Sequence, residues 1–326
     1  MQEALSNVTE SPGGAPSIDP PSFFPLIILG GGPAGLTAAI YARRAGVPVL
    51  LLEHTLPGGQ MNTTPEVENY PGFERISGFE LGDAMRRQAL ALGTELRSAA
   101  VTALDLSGAQ PVVHTAKESL VCDALILAMG ATRRLLDVEG EARFTGRGVS
   151  YCATCDGSFF RGKTVAVVGG GNTALEDALY LAGLCREVVL IHRRDEFRGE
   201  AYLEKEVRQN ASITLRLSET VTAIEGGQRV EQLRLRHAVT GDESVLPVDA
   251  VFVAVGTLPQ TALLRGQLAL DAGGYVPAGE DTKTGHPAIF AAGDLRQKEL
   301  RQIITAAADG AVAATHAAKV CKSKGL

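Results

Sequence analysis

Two cysteines separated by two residues, Cys152 and Cys155, stand in the run Tyr151-Cys152-Ala153-Thr154-Cys155-Asp156-Gly157. That spacing lets the pair close a small disulfide ring without large strain, and thiols so placed have lowered pKa values. Exchange needs a thiolate to attack and a stabilised thiolate to leave, and a CxxC can supply both. Asp156 adds a carboxyl that can hand protons to sulfur or take them as the ring opens and closes. The competing use is half of a zinc site. Zinc wants four ligands, and Cys122, Cys185 and Cys321 stand alone with no second CxxC or HxxxH. On the pair alone the redox reading is only modestly ahead; its position between two nucleotide-binding signatures strengthens it.

The first signature precedes the cysteines. Leu26-Ile27-Ile28-Leu29 reads as a short buried strand and runs into Gly30-Gly31-Gly32-Pro33-Ala34-Gly35, a GxGxxG. An Ala-rich helix from Leu36 to Ala45 follows, closed by Gly46. Gly30 permits the tight turn, Gly32 lets backbone approach a pyrophosphate, and Gly35 lets helix and strand pack closely. Phosphate would rest on the helix N-terminus, where free N–H groups and the dipole favour anions. A second strand, Val47 to Leu52, ends in Glu53, 23 residues after Gly30, where a carboxylate accepts bonds from ribose hydroxyls. An isolated GxGxxG is weak, but strand, helix, strand and terminal acid together are not. The turn-rich stretches Pro57–Asn62 and Glu66–Gly72 suit a loop over a flat cofactor, although either would pass for an ordinary surface loop.

The pattern repeats after the cysteines. Thr164 to Val168 is a strand leading into Gly169-Gly170-Gly171-Asn172-Thr173-Ala174, a GxGxxA, then a helix through Leu181 and a strand from Val188 to Ile191. This strand ends in His192-Arg193-Arg194, with Arg198 close behind. Arg193 lies 24 residues after Gly169, matching the place that Glu53 holds in the first unit. A carboxylate suits a free 2′-hydroxyl, whereas guanidinium suits a 2′-phosphate. The two units therefore read as specialised, one for FAD and the other for NADPH.

Around these units the chain reads as α/β. Gly78 to Leu92 has helical spacing, strand-like pieces lie near Val101, Val112 and Leu120, and Glu219 to Leu246 alternates like a small antiparallel meander. Leu125–Ala131 reads as a buried strand ending in a turn, and Val251–Gly256 echoes its Leu125–Gly130 part, which suggests two related halves. Ile289–Asp294 is a further strand ending in an acid, and Arg301-Gln302-Ile303-Ile304 opens a long Ala-rich helix to about Val320. At 326 residues the chain suits two domains. Its net charge of −6 argues against nucleic acid or anionic membrane as the main partner, and no apolar run reaches the roughly 20 residues of a membrane helix. Residues 1–24, rich in Pro, Gly and Ser, read as a disordered lead-in without the marks of a signal peptide. Five cysteines do not make a disulfide framework, and the expected setting is cytoplasmic and reducing.

With these motifs assembled, the sequence resembles the low-molecular-weight bacterial thioredoxin reductases from about Leu26 to Val320. The most specific pieces are CATCDG at 152–157, GGGNTA at 169–174, HRRDEFR at 192–198 and GD…RQ at 293–302. The resemblance implies two Rossmann-like, three-layer ββα domains: an FAD domain from residues 25–133 and 262–320, and an inserted NADPH domain, 134–261, that carries the CxxC. It implies a homodimer, with rotation of the NADPH domain alternating access to the flavin. Carried over residue by residue, Gly30, Gly32, Pro33, Ala34, Gly35, Glu53, Gly59, Gln60, Asn69, Gly293, Asp294, Arg301, Gln302 and Ile303 would bind FAD. Gly169, Gly171, Asn172, Thr173, Glu176, His192, Arg193, Arg194 and Arg198 would bind NADPH. Cys155 would face the flavin, Cys152 would attack the disulfide of thioredoxin, and Asp156 would be the acid and base. Met129 departs from the Thr that many relatives carry at the domain junction. The rival readings are a flavin oxidase of small dithiols, which does not need HRRDEFR, and a ferredoxin–NADP reductase, which has no use for the CxxC. A flavin-and-disulfide redox sensor is a third, of a different class.

Overall fold

The computed structural model describes residues 22–326. Its first sheet is built from Ser22–Leu29 (β1), Val49–Glu53 (β2), Glu95–Ser98 (β3), Val101–Asp105 (β4), Val112–Thr115 (β5) and Ser119–Leu127 (β6), joined late in the chain by Ile289–Ala291. β3, β2, β1 and β6 lie side by side in that order and run parallel, and the Ile289–Ala291 strand pairs parallel with the end of β6. The β4–β5 hairpin occupies the beginning of that same β6 edge, antiparallel. Strands covered on both faces read as continuous apolar runs rather than alternating ones. Leu26–Leu29 and Leu125–Leu127 are accordingly 0–1% exposed.

β1 begins three residues before the boundary expected for the lead-in. Ser22, Phe23 and Phe24 pair with Leu120, Val121 and Cys122, so their backbone groups are satisfied by β6, and Arg97 covers the Phe24 ring at 4.9 Å. The rest of the lead-in expectation, for residues 1–21, lies outside the described residues. Likewise β6 is one continuous strand, where the sequence suggested two pieces.

Helices cover one face of this sheet: Pro33–Arg44 (α1), Gly78–Ala91 (α2) and the long Ile303–Ser323 helix. A capping box joins Ser77 and Glu80 at the start of α2, an arrangement worth about 1 kcal/mol. Gly310 lets the long helix cross α1 at backbone contact, since a Cβ there would run into the Ala34 carbonyl. The opposite face buries Leu104, Val113, Leu264, Val276 and Leu295.

Two short strands follow the ends of this and the next sheet: Ala131–Arg133 (β7) and, much later, Thr257–Pro259. They pair with each other, antiparallel. Between them, Glu141–Phe144 (α3), Val149–Ser150 (β8) and Ala153–Asp156 (α4) lead into Thr164–Val168 (β9), Asn172–Ala182 (α5), Glu187–His192 (β10), Ala201–Gln209 (α6) and Ile213–Leu217 (β11). The meander is Glu219–Glu225 (β12), Gln232–His237 (β13) and Glu243–Pro247 (β14), followed by Ala250–Val253 (β15) and Thr257–Pro259 (β16). The second sheet, β11-β10-β9-β15-β8, is wholly parallel. α4, α5 and α6 pack on one face and the meander on the other. The long helix is α7. Among the described residues no helix is long and apolar enough to cross a membrane.

Candidate active site

Cys152 and Cys155 are joined in a disulfide, with their Cα atoms 5.3 Å apart. Cys152 is extended and caps α4, so the Cys155 N–H points at its sulfur from 3.2 Å. One turn on, Asp156 is half-buried and accepts a 2.6 Å hydrogen bond from the Ser150 hydroxyl, whose oxygen also receives the Cys152 N–H at 3.1 Å. Burial pushes the Asp156 carboxyl above the usual Asp range, and the Ser150 bond opposes this only partly. A carboxyl so raised keeps its proton further toward neutrality, as an acid serving sulfur needs.

From the first sheet, α7 brings Gln302 against the disulfide. Its Nε2 lies 3.6 Å from Cys152 Sγ and 3.8 Å from Cys155 Sγ, and donates to Thr154 Oγ1 at 3.1 Å. Its Oε1 accepts from Asn69 Nδ2 at 3.1 Å. Both residues were expected as flavin contacts; here they join each other across 233 positions of sequence, and Gln302 reaches the sulfurs. Sequence held no signal for that meeting.

The other residues expected at the first nucleotide site gather at the carboxyl ends of β1, β2 and the Ile289–Ala291 strand. Gly30 has φ +102, and a Cβ on it would enter the Ala128 carbonyl; one on Gly35 would enter the Gly30 carbonyl. Gly32 is different. Among the described residues a Cβ there would meet only the Gly59 Cα, at 4.0 Å, so these residues do not demand glycine, whereas a phosphate lying on this turn would. Pro33 and Ala34 open α1 above it. Glu53 accepts from the Gly31 N–H at 2.8 Å and from the Thr55 N–H and hydroxyl, each at 2.8 Å. Burial works to raise its pKa, but these donors outweigh that and hold the carboxyl below the usual range. The Gln60 amide bonds the Ala131 carbonyl. Gly293 sits on Ala34, and Asp294 beside it has a buried oxygen without a partner. Burial raises the Asp294 pKa, countered by Lys298 and Arg301. Arg301, stacked on Tyr275 at 4.5 Å, also buries an unpartnered Nε, and Ile303 starts α7. Two buried polar atoms without partners among the described residues, set beside a glycine cradle, fit a polar ligand such as FAD.

A group that sequence reading missed holds this corner. Asp309 of α7 accepts from Arg296 Nη2 at 2.7 Å and Nε at 2.8 Å, from Lys298 Nζ at 2.8 Å and from the Gly293 N–H at 2.9 Å. All three side chains are buried. A lone Asp in an Ala-rich helix reads as surface, and only the nearby Arg-x-Lys could have hinted otherwise.

The second glycine turn repeats the geometry. A Cβ on Gly169 would strike the Ala254 carbonyl, while one on Gly171 would meet nothing within 4 Å among the described residues. His192 lies flat against Gly170 and stacks on Phe197, its ring centroid 5.6 Å away; burial, with Arg198 next, lowers its pKa and keeps it neutral. Asn172 exchanges hydrogen bonds with Glu200. Thr173 and Glu176 are exposed. So are Arg193, Arg194 and Arg198, and among the described residues none of these guanidiniums has an acidic partner. Unpaired guanidiniums past a glycine turn fit the phosphates of NADPH.

A disulfide between two glycine-turn sheets defines a disulfide oxidoreductase of the nucleotide-binding kind. The family model described as pyridine nucleotide-disulphide oxidoreductase matches residues 24–310. A thioredoxin reductase of Mycolicibacterium smegmatis is 50% identical over 294 residues, 90% of this chain and 94% of that relative. The crystal structure of thioredoxin reductase from Streptococcus pyogenes MGAS5005 is 38% identical, covers 93% of this chain and 99% of its own, and superposes with a TM-score of 0.88. The Lactococcus lactis thioredoxin reductase, described as in its FR conformation, is 37% identical over 92% of this chain and 99% of its own, yet its TM-score is 0.63. The chain belongs to the pyridine nucleotide-disulphide oxidoreductase family and, within it, to the thioredoxin reductases.

Proposed function

We propose that the chain is a cytoplasmic, homodimeric thioredoxin-disulfide reductase in which electrons pass from NADPH through FAD to the Cys152–Cys155 disulfide and on to thioredoxin. The observation that carries this reading is the closed disulfide held under Gln302, with Asp156, its carboxyl pushed up by burial, one turn away. The FAD domain is residues 25–133 with 262–320, extended to Ser22 by the start of β1, and the inserted NADPH domain is 134–261, each a Rossmann-like three-layer unit. Gly30, Gly32, Pro33, Ala34, Gly35 and Gly59 cradle the flavin nucleotide's phosphates. Glu53 takes the ribose, and Gln60, Asn69, Gly293, Asp294, Arg301, Gln302 and Ile303 orient the rest. Gly169, Gly171, Asn172, Thr173, Glu176 and His192 seat NADPH. Arg193, Arg194 and Arg198 select its 2′-phosphate.

The protein's own chemistry is thiol exchange. The Cys152 thiolate attacks one sulfur of the thioredoxin disulfide and forms a mixed disulfide, releasing a thiolate on the substrate. Cys155 then attacks Cys152, re-forming the ring and freeing reduced thioredoxin. Asp156 supplies the proton that the leaving sulfur needs. Two solved relatives of near-equal identity fit this chain very unequally, which supports a reorientation of the two domains during turnover. Anaerobic titration with NADPH is the test. Uptake of two hydride equivalents per chain, followed by catalytic reduction of thioredoxin, is expected; bleaching by a small dithiol but not by NADPH would point to a dithiol oxidase instead.

A further inference from the structure

The Gln302 carboxamide has a defined direction. Its oxygen is occupied by Asn69 Nδ2 at 3.1 Å, so its two N–H bonds face the other way. One is used by Thr154 Oγ1 at 3.1 Å, and the other is directed at the sulfurs, 3.6 Å from Cys152 and 3.8 Å from Cys155. The carboxamide oxygen also lies 3.8 Å from Cys155 Sγ, so at that sulfur the two ends of the amide oppose each other; at Cys152 only the donor end is in reach. Sulfur in a disulfide is a poor acceptor, whereas a thiolate is a charged one, and hydrogen bonds to charged groups are about twice as strong. A donor fixed here therefore stabilises the open, reduced ring more than the closed one.

Building on the thioredoxin reductase reading, we infer that Gln302, held in orientation by Asn69, is a positioning residue that selects Cys152 as the thiolate when the ring opens. The step takes two electrons from a dithiol or from the reduced cofactors, together with one proton. The S–S bond breaks, Cys155 takes the proton, and Cys152 keeps the charge facing the Gln302 N–H and the Cys155 N–H. Because Gln302 belongs to α7 and the cysteines to the other sheet's segment, this stabilisation exists only while the two are docked. The nucleophile is thus charged before it is presented to substrate. Charged groups tied to this segment are Asp156, Arg133 and Glu141 about Tyr151, and Asp177 on α5, which packs on α4. None is altered in the variants below.

The test is alkylation of Cys152 by iodoacetamide against pH, in the FAD-loaded Cys155→Ser protein, where only one redox thiol remains. The other three cysteines are buried, their thiols raised, Cys321 to about 11, and they stay silent in this range. Gln302→Leu should move the alkylation midpoint up by about one pH unit, a tenfold loss of thiolate. Gln302→Glu should move it further, and Asn69→Ala should move it in the same direction by less. In dithiothreitol redox buffers, with both cysteines present, Gln302→Leu should disfavour the reduced form about tenfold, or about 30 mV. Equal midpoints in all four proteins, or equal shifts for Leu and Glu, overturn the inference. Failure of the unaltered protein to reduce thioredoxin with NADPH would instead remove the proposed function, whatever the alkylation shows.

Discussion

Replacing Asp309 by Asn tests the buried corner beneath the Asp294 turn. One carboxylate takes four donors there: two from Arg296, one from Lys298 and one from the Gly293 backbone, all between 2.7 and 2.9 Å. Asn is nearly the same shape, so volume is not the issue. It turns an NH2 toward a cation and removes the carboxylate with which the buried Arg296 and Lys298 pair. Removing one member of such a buried set costs about 3–5 kcal/mol, a large share of the roughly 5–15 kcal/mol that holds a protein folded. Thermal release of flavin fluorescence should fall by on the order of 10 °C. Replacing all three, with Asp309→Leu, Arg296→Met and Lys298→Met, should restore most of that, because the loss lies in unpaired charge. The pH dependence has a definite sign. Burial opposes ionisation of Asp309, but the Arg296 and Lys298 bonds outweigh it, so its folded pKa lies below the unfolded one. Its contribution is complete above the unfolded value, about 4, and is lost as pH falls through the folded value. The gap between parent and Asp309→Asn should be flat from about pH 6 to 8 and close in acid. A loss under about 1 kcal/mol, or a gap that widens in acid, would refute this account of the corner.

Cys152→Ser should abolish thioredoxin reduction while NADPH still bleaches the flavin; stopped-flow absorbance separates the two. Asp156→Asn should cut thioredoxin turnover about 100-fold or more. Ser150→Ala removes the one bond that pulls the Asp156 pKa down, so the alkaline fall of the pH–rate profile should move to higher pH. Arg193→Ala with Arg194→Ala should raise KM for NADPH far more than for NADH; steady-state kinetics with the two nucleotides would expose equal effects.

The glycine turns and the CxxC were legible because their function is local: each needs particular residue types at fixed spacing, and Gly30, Gly35 and Gly169 proved sterically obliged to be glycine. The parallel strands were legible because burial on both faces leaves an unbroken apolar run. Other features depend on partners distant in sequence. Phe23 and Phe24 look like tail until β6 supplies their hydrogen bonds. α6 and β11 escaped notice because the one is a short, charge-rich helix that buries only Leu203 and Val207, and the other is a strand of mixed exposure. The Asn69–Gln302 pair and the Asp309 cluster are tertiary, and no period or motif announces them.

The chain passes between its two sheets twice, and both passages run through one ribbon, β7 against β16. Hydrogen bonds from Arg134 N to the Gly256 carbonyl and from Gln260 N to the Gly130 carbonyl close its ends. Gly130 and Gly256, with φ of +69 and +99, stand where each strand enters it. A single strand would be a tether, free to bend any way; two laced strands behave as a torsion strip, stiff against stretching and shear and compliant in twist. Whatever relative motion the two sheets undergo is thereby steered toward rotation about the strip's long axis, with the glycines as its swivels. A residue with a side chain at either swivel would stiffen the joint and leave both nucleotide turns untouched.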